Sequence, residues 1–267
     1  MKVAFIGGGK MAEAILHGIV TGKLAAPADI SVGEPVAARR EYLSSQFGVN
    51  TDADNLKSAR EADLLVFAVK PQDLGPVMGQ LKGHLDSKQA ALSIVAGAKM
   101  DTLSKGLGHN SVVRVMPNTP AQVGAGMTLW TCSEGVDASK RELIKSVLAT
   151  IGQEIYVSDE KYMDMATALS ASGPAYVFLF IEALIDAGVY VGMPRDMART
   201  LALQTVFGST KLLMETGMHP AEAKDMVVSP GGTTAEALRV LEDKGVPAAI
   251  VSAVDAAYRK SIQLGQW

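Results

Sequence analysis

The feature that most constrains the fold is a run of glycines directly after the first short β-type segment. Val3–Ile6 leads into Gly7-Gly8-Gly9, and a helical pattern begins at about Met11. With Ala12 the run reads G-x-G-x-x-A, in which the glycines permit a tight turn and the close approach of a ligand to the backbone. The N-terminus of the following helix offers free N–H groups to phosphates. We therefore expect a dinucleotide pyrophosphate here, with a purely structural turn as the alternative, at Gly7, Gly8, Gly9, Lys10 and Met11.

The first part of the chain alternates short β-type runs with amphipathic segments. One run, Leu64–Val69, is apolar throughout, which is typical of a strand with helices on both faces of its sheet. The alternation predicts an α/β fold with a Rossmann-type, doubly wound parallel sheet. The candidate strands are Val3–Ile6, Ile30–Val32, Leu64–Val69, Ala91–Val95, Val112–Val115, Met127–Thr131 and Glu154–Val157.

After about Ser158 the strand pattern stops and only helical spacing remains, over 160–190, 195–217, 219–228, 233–244 and 247–265. We therefore predict a dinucleotide-binding domain over 1–158 and an all-helical domain over 159–267. Tyr176–Ile181 is apolar around the whole helix and must be buried. A second copy of the chain would bury it, so we expect a homodimer or a larger homo-oligomer formed through this domain. A self-contained helical bundle is the alternative.

Composition excludes several classes of function. The net charge of −3 gives no field that attracts a polyanion, so nucleic acid is not expected as a partner. The apolar run from Ala175 is interrupted at Glu182, and the N-terminus has no signal peptide, so we expect a cytoplasmic protein without a membrane partner. Cys132 is the single cysteine and is expected to be a strand residue, not a catalytic thiol. The scattered histidines predict no metal site.

An acidic residue follows the second predicted strand. Glu34 lies about 25 positions beyond Gly9, where a carboxylate reads the ribose hydroxyls of an adenosine. A carboxylate favours NADH over NADPH, although Arg39 and Arg40 could partly offset its repulsion of a 2′-phosphate. The alternative is a structural residue before Pro35. We expect NADH or NADPH as the cofactor, with NADH slightly favoured.

Several longer blocks occur along the chain in a characteristic order and spacing: Ala68–Gln72, Ser93–Gly97, Arg114–Pro120, Ser170–Tyr176 and Lys224–Thr234. With these blocks, nearly the whole chain, Val3 to about Ser261, resembles the pyrroline-5-carboxylate reductase family. Ala171, between two serines, is the clearest departure, because the family more often has glycine there.

The resemblance implies an oxidoreductase that transfers hydride from NADPH or NADH to the C=N bond of 1-pyrroline-5-carboxylate and forms L-proline, the last step of proline biosynthesis. It implies that Asn55 lies near the adenine ribose and that Ala96 and Asn118 border the nicotinamide. Taken alone, Pro71 could be a strand stop and Lys70 a solvated charge. The resemblance implies further cofactor contacts at Ala68, Val69, Lys70 and Pro71.

The segment Ser229–Thr234 enters a helix at about Thr233. From the residues alone a Ser/Thr helix cap is favoured, and a cradle for an anion is the alternative. The resemblance implies that this loop binds the substrate, with Thr234 a binding residue first and a proton donor second. The expected substrate contacts are Ser229, Gly231, Gly232, Thr233 and Thr234.

Three other functions stay open at this stage. A reductase of another cyclic imino acid would use the same residues. A β-hydroxyacid dehydrogenase would need a lysine beside a glycine-rich segment, and neither Lys211 nor Lys224 lies in that context. A dinucleotide sensor or scaffold without turnover would have no use for a complete substrate loop.

Overall fold

The computed structural model describes residues 1–265, and eight strands within residues 3–156 form one sheet. The strand order is β3-β2-β1-β4-β5-β6-β7-β8. All neighbouring strands are parallel except β6 and β7, which are antiparallel. The strands are β1 (Val3–Ile6), β2 (Ile30–Gly33), β3 (Asn50–Asp52), β4 (Leu64–Phe67), β5 (Ala90–Ser93), β6 (Val112–Met116), β7 (Gly126–Cys132) and β8 (Gly152–Tyr156).

Helices and loops connect the strands, and the described chain after β8 is helical apart from its loops. Short 3-10 helices cover Pro27–Asp29 and Thr119–Val123, and a π-helical turn covers Thr167–Ala171. The α-helices are α1 (Lys10–Thr21), α2 (Ala37–Phe47), α3 (Asn55–Ala59), α4 (Pro71–Leu81), α5 (Met100–Leu107), α6 (Ala138–Ala149), α7 (Lys161–Ala166), α8 (Gly173–Tyr190), α9 (Arg195–Thr216), α10 (Pro220–Asp225), α11 (Thr233–Asp243) and α12 (Val246–Leu264).

The doubly wound sheet is confirmed by the way that β1 is buried. Val3 and Phe5 belong to one apolar cluster, and Ala4 and Ile6 belong to a second cluster. Successive side chains of a strand point to opposite faces, so each face of the sheet has its own core. Burial of each large apolar side chain contributes about 1.5–3 kcal/mol, so this strand is held firmly at the centre of the sheet. Ligands of such sheets bind outside the carboxyl ends of the strands, and β1 is one of the strands that form this edge.

One strand, β3, was not predicted from the sequence. The strand β3 is short, contains Asn50, Thr51 and Asp52, and pairs only with β2 at the edge of the sheet. An edge strand needs no continuous apolar run, because one side faces solvent, so hydrophobic periodicity does not reveal it.

Contacts divide the described chain into two units. The first contains residues 1–172 together with 257–265, and the second contains residues 173–256. This division differs from the sequence-based boundary at residue 158, because α7 and the end of α12 pack with the first unit. Ser261 of α12, for example, donates a hydrogen bond to Asp164 of α7 at 2.8 Å.

In the second unit α8 and α9 pack closely. A Cβ atom added at Gly188 of α8 would lie 2.7 Å from the Cβ of Ala198 of α9. The outer surface of α8 is nevertheless apolar: Phe178, Leu179 and Phe180 are 60%, 67% and 51% exposed in the single chain.

One helical stretch is long and apolar enough to cross a membrane, by length and composition only. It runs over Lys161–Tyr190, because α7, the π-helical turn and α8 are continuous, and it is longer than the apolar run read from the sequence. This is weak support for a membrane span, because a helix buried between two subunits has the same composition.

Candidate active site

The glycine loop between β1 and α1 makes a tight turn in front of an uncapped helix. Gly7 adopts a φ of +97°, and a Cβ atom there would lie 2.9 Å from the carbonyl oxygen of Ala68. Gly9 is open: a Cβ atom would meet only that carbonyl, at 3.9 Å. Within the described residues no side chain caps the helix that follows, so its first N–H groups are available to phosphate oxygens.

A second helix begins at the same edge of the sheet. Pro71 is the first residue of α4, and no side chain among residues 1–265 caps it at Lys70. Proline is favoured at this position because its missing N–H would have had no helical partner. The loop that follows β4 therefore presents a helix start next to the glycine loop.

A cavity of about 530 Å³ lies outside the carboxyl ends of β1, β2 and β4. Lys10, Met11, Pro71, Ala96 and Asn118 do not line it, although the first two form the first turn of α1. The predicted cofactor residues that the structure brings together there are Gly7, Gly8, Gly9, Glu34, Asn55, Ala68, Val69 and Lys70.

One wall of this cavity was missed in the sequence. It is the inner face of α4, whose residues recur at the spacing of one helix face. The same periodicity in the segment after Pro71 would have revealed it. The residues are Asp73, Pro76, Val77 and Gln80.

Glu34 is held in place by the backbone. Its Oε2 accepts a hydrogen bond from the Gly8 N–H at 2.9 Å, and its Oε1 accepts one from the Val36 N–H at 3.0 Å. Arg39 donates through Nε to the Gly8 carbonyl at 2.6 Å, and Arg40 donates to the carbonyl of Glu34 at 2.7 Å. Both arginines therefore stabilise the backbone around the cavity.

Arg39 also ties α2 to α1. Its Nη2 lies 2.5 Å from the Glu13 carboxylate, which accepts a second hydrogen bond from Tyr42 at 2.9 Å. Burial alone would raise the pKa of Glu13, but the hydrogen bonds from Arg39 and Tyr42 outweigh it and lower the pKa below its ordinary value. Glu13 is therefore an anion at neutral pH and keeps Arg39 directed at the glycine loop.

Asn55 lies against the end of β2. A Cβ atom at Gly33 would lie 2.5 Å from the Asn55 Oδ1, so a residue with a side chain does not fit there. The amide of Asn55 donates to Gln80 at 3.1 Å. Because Gly33 leaves this space, Asn55 lies beside Glu34 at the side of the cavity formed by β2.

Ala96 and Asn118 follow the carboxyl ends of β5 and β6. Ala96 is half-buried in the loop before α5. Asn118 accepts from the Met127 N–H at 2.8 Å and donates to the Ser170 carbonyl at 3.3 Å. Its side chain thus holds the π-helical turn against the sheet edge.

The loop before α11 leaves that helix uncapped. Gly232 occupies the cap position, and no side chain of the described chain caps it, so the helix cap favoured by the residues alone is not formed. Gly231 has a φ of +67°, and a Cβ atom at Gly232 would clash with the Ser229 hydroxyl. The turn therefore requires little side-chain bulk. The Gly232 N–H donates to the Ser229 carbonyl at 2.9 Å, and in the part of the chain that the structure describes the first N–H groups of α11 are free for an anion.

The two threonines that open α11 add hydroxyl groups to this loop. Thr233 is exposed and Thr234 is half-buried. Within residues 1–265 no group hydrogen-bonds to the Thr234 hydroxyl, which is therefore free to meet a ligand.

Comparisons with known proteins cover the whole chain. Residues 160–264 match the family model described as pyrroline-5-carboxylate reductase dimerisation. Residues 2–97 match the model described as NADP oxidoreductase, coenzyme F420-dependent. A pyrroline-5-carboxylate reductase of Synechocystis sp. is 45% identical over 266 residues, which is 100% of this chain and 99% of that protein.

Two solved structures are similar over almost their full length. A pyrroline-5-carboxylate reductase from Coxiella burnetii has a TM-score of 0.91 at 35% identity, covering 100% of this chain and 99% of that one. A Plasmodium falciparum pyrroline carboxylate reductase with NADP bound has a TM-score of 0.91 at 34% identity, covering 100% and 98%. Identity at this level over whole chains confirms the resemblance found in the sequence: the chain belongs to the pyrroline-5-carboxylate reductase family.

Proposed function

We propose that this protein reduces 1-pyrroline-5-carboxylate to L-proline at the expense of NADH or NADPH, the last step of proline biosynthesis. The proposal rests on the cavity beside the glycine loop, at the carboxyl edge of the sheet. It lies in a chain that matches pyrroline-5-carboxylate reductases over its full length. A reductase of another cyclic imino acid remains the alternative, and a comparison of imine substrates separates the two.

The cofactor site is proposed from the geometry of the loops. The uncapped start of α1 suits the pyrophosphate, and the space between Glu34 and Asn55 suits the adenosine ribose. The remaining half of a dinucleotide would then lie beyond β4, toward Ala96 and Asn118. Bound NADH or NADPH supplies the hydride. The proposed cofactor contacts are Gly7, Gly8, Gly9, Lys10, Met11, Glu34, Asn55, Ala68, Val69, Lys70, Pro71, Ala96 and Asn118.

Within this site we favour NADH as the cofactor. The Glu34 carboxylate cannot turn away from a 2′-phosphate without losing its bonds to two backbone N–H groups. Arg39 is engaged with the Gly8 carbonyl and with Glu13, and Arg40 donates through Nη1 to the carbonyls of Glu34 and Pro35. A 2′-phosphate would therefore have to compete with these bonds for either arginine. A free 2′-hydroxyl, in contrast, can donate to the carboxylate.

The substrate is proposed to bind through its carboxylate to the loop before α11. Free N–H groups and hydroxyls suit an anion there, and Thr234 offers an unpaired hydroxyl. The imine nitrogen is basic enough to carry a proton near neutral pH, so these residues chiefly hold the ring in position. Such positioning lowers a barrier by up to about 7–11 kcal/mol. The proposed contacts are Ser229, Gly231, Gly232, Thr233 and Thr234, with Thr234 as the residue able to donate a proton.

We further propose that the working form is a homodimer or a larger homo-oligomer in the cytoplasm. The family model for residues 160–264 is described by dimerisation, and the apolar surface of α8 is exposed in the single chain. Covering that surface with a second copy removes it from water, which is the driving force for association.

Oxidation of NADH and NADPH by purified protein and pyrroline-5-carboxylate tests the proposal. Thr234→Val removes one hydroxyl at almost constant volume, and we expect kcat/KM for the imine to fall about 10- to 100-fold, as for one hydrogen bond to a charged group. Gly9→Trp fills the open side of the glycine loop and should abolish oxidation of either cofactor.

Matched controls keep this experiment specific. Thr21→Val makes the same change at an exposed helix end, and Gly79→Trp places a tryptophan where the structure has open space. Both should keep wild-type activity. A folded, oligomeric wild-type protein that oxidises neither cofactor with any cyclic imine would overturn the proposal.

A further inference from the structure

A buried arginine lies behind the proposed nicotinamide side of the site. Arg114, in β6, is 1% exposed. Its Nη1 lies 2.8 Å from the Glu160 carboxylate, and its Nη2 lies 3.2 Å from the Asp164 carboxylate. Desolvation of these charges offsets much of their attraction, so an ion pair of this kind is a poor source of stability alone. We therefore expect a role of Arg114 beyond stability in the other contacts of its two carboxylate partners.

Each of the two carboxylates has another partner. Glu160 accepts a hydrogen bond from the Met100 N–H at 2.9 Å, and Met100 is the first residue of α5. Asp164 accepts one from the buried Ser261 hydroxyl at 2.8 Å, near the end of α12. Arg114 thereby joins β6, the starts of α5 and α7, and the end of α12, all of which belong to the first unit.

The Met100 N–H marks the end of the loop 94–99, which contains Ala96. The other side of this loop packs against the end of α12. Gly97 has a φ of +79°, and a Cβ atom there would lie 2.9 Å from the Leu264 carbonyl oxygen. The loop is thus held by Glu160 at its end and by α12 at its middle.

The chain directly after β6 makes a second contact with the segment 160–170. Asn118, which follows β6, donates a hydrogen bond to the Ser170 carbonyl in the π-helical turn. The loops after β5 and β6 lie in the half of a doubly wound sheet that receives the second mononucleotide of a dinucleotide. The positions of both loops therefore depend on the strand that contains Arg114 and on the segment that contains its carboxylate partners.

We infer that Arg114 and Glu160 are positioning residues for the nicotinamide half of the cofactor, acting through the Met100 N–H on the loop 94–99. The inference rests on the proposed function, because it requires a nicotinamide next to Ala96. Neither residue is placed in contact with the cofactor: Arg114 holds Glu160, and Glu160 holds the loop. A displacement of the loop by about 1 Å is enough to impair hydride transfer substantially.

Two variants remove the hydrogen bond between the Met100 N–H and the Glu160 carboxylate, one at each partner. Glu160→Ala deletes the acceptor, and Met100→Pro deletes the donor while keeping a residue that suits the first helical position. Lys99 already has the extended backbone that precedes a proline. We expect each variant to lower kcat/KM for NADH roughly 10- to 100-fold, and the double variant to lower it no further than the single ones. Glu160→Gln keeps an acceptor oxygen and should restore most of the loss.

The decisive measurement compares the dissociation constants of NADH and of ADP-ribose, which lacks the nicotinamide. Glu160→Ala and Met100→Pro should weaken NADH binding and leave ADP-ribose binding unchanged. Asp159→Ala, which removes the neighbouring exposed carboxylate, and Ile144→Val, which perturbs the core in α6, should change neither constant.

Equal weakening of NADH and ADP-ribose would show a general structural role and overturn the inference. Unchanged NADH binding and turnover in both variants would also overturn it, while the proposed function would stand. If wild-type protein binds neither ligand, the proposed function itself fails.

Discussion

At the scale of single residues, we propose that the Glu34 carboxylate sets the choice between NADH and NADPH. Its two oxygens are held by the Gly8 and Val36 N–H groups, so its charge stays at the side of the cavity where the adenosine ribose is proposed to bind. We predict that Glu34→Gln, which keeps the size but removes the charge, shifts the ratio of kcat/KM values toward NADPH about tenfold, or 1.4 kcal/mol.

Steady-state rates with both cofactors check this prediction. Glu41→Gln makes the same change at an exposed site in α2 and should leave the ratio as it is. An unchanged ratio in Glu34→Gln would contradict the role given to this carboxylate.

Because ionised Glu13 holds Arg39 against the glycine loop, we expect this loop to be destabilised by acid. Its pKa is lowered in the folded protein, so its ionised form contributes stability above the ordinary carboxyl pKa, and this contribution is lost as the pH falls through the lowered value. We predict that Glu13→Gln reduces stability at neutral pH and flattens the decline of Tm below about pH 4.3. Thermal melts across the acid range measure this, and a Glu13→Gln profile parallel to wild type would refute it.

At the scale of elements, the end of β2 and the start of α3 are in unusually close contact. A methyl group at Gly33 would collide with Asn55, so Gly33→Ala should cost about 1–3 kcal/mol of unfolding free energy and weaken cofactor binding. Gly79→Ala, in open space on α4, should instead stabilise the protein by about 0.4–1 kcal/mol. Urea denaturation with and without NADH measures both effects, and equal stability of the two variants would contradict the close contact.

Local patterns predict the central elements well. The apolar run at Leu64–Phe67 and the glycine loop before α1 each depend on residues adjacent in sequence, and both are found where periodicity places them. Two elements were not predicted, because neither changes the apolar periodicity of the sequence. The strand β3 is polar, and the π-helical turn at Thr167–Ala171 lies inside a continuous helical pattern.

Contacts between distant residues limit prediction of the site. The sequence places Glu34 at the end of β2, but only the structure shows that it bonds to Gly8 in another loop. Likewise, nothing in the sequence near Arg114 indicates that its carboxylate partners are Glu160, directly before α7, and Asp164 within α7. Such partners depend on the packing of elements, which local periodicity does not encode.

On the scale of the whole molecule, the exposed apolar surface of α8 is the basis for the proposed assembly. Leu179 is 67% exposed in the single chain. We predict that Leu179→Glu, which would bury a charge between subunits, yields monomers and removes most activity. Light scattering after size-exclusion chromatography measures the mass.

Lys145→Glu, on the exposed side of α6, is the matched control and should remain oligomeric. A Leu179→Glu protein of unchanged mass and activity would place the interface elsewhere.

Isotope transfer measures hydride delivery to the ring carbon of a cyclic imine, which is the reaction proposed for this protein. The protein is incubated with pyrroline-5-carboxylate and NADH that carries deuterium at the transferable position, and the product is analysed by mass spectrometry. We expect L-proline with deuterium on the former imine carbon, formed by wild type and not by Gly9→Trp. Cofactor binding without labelled proline would rule out the proposed reaction and would leave a dinucleotide-binding protein of this fold.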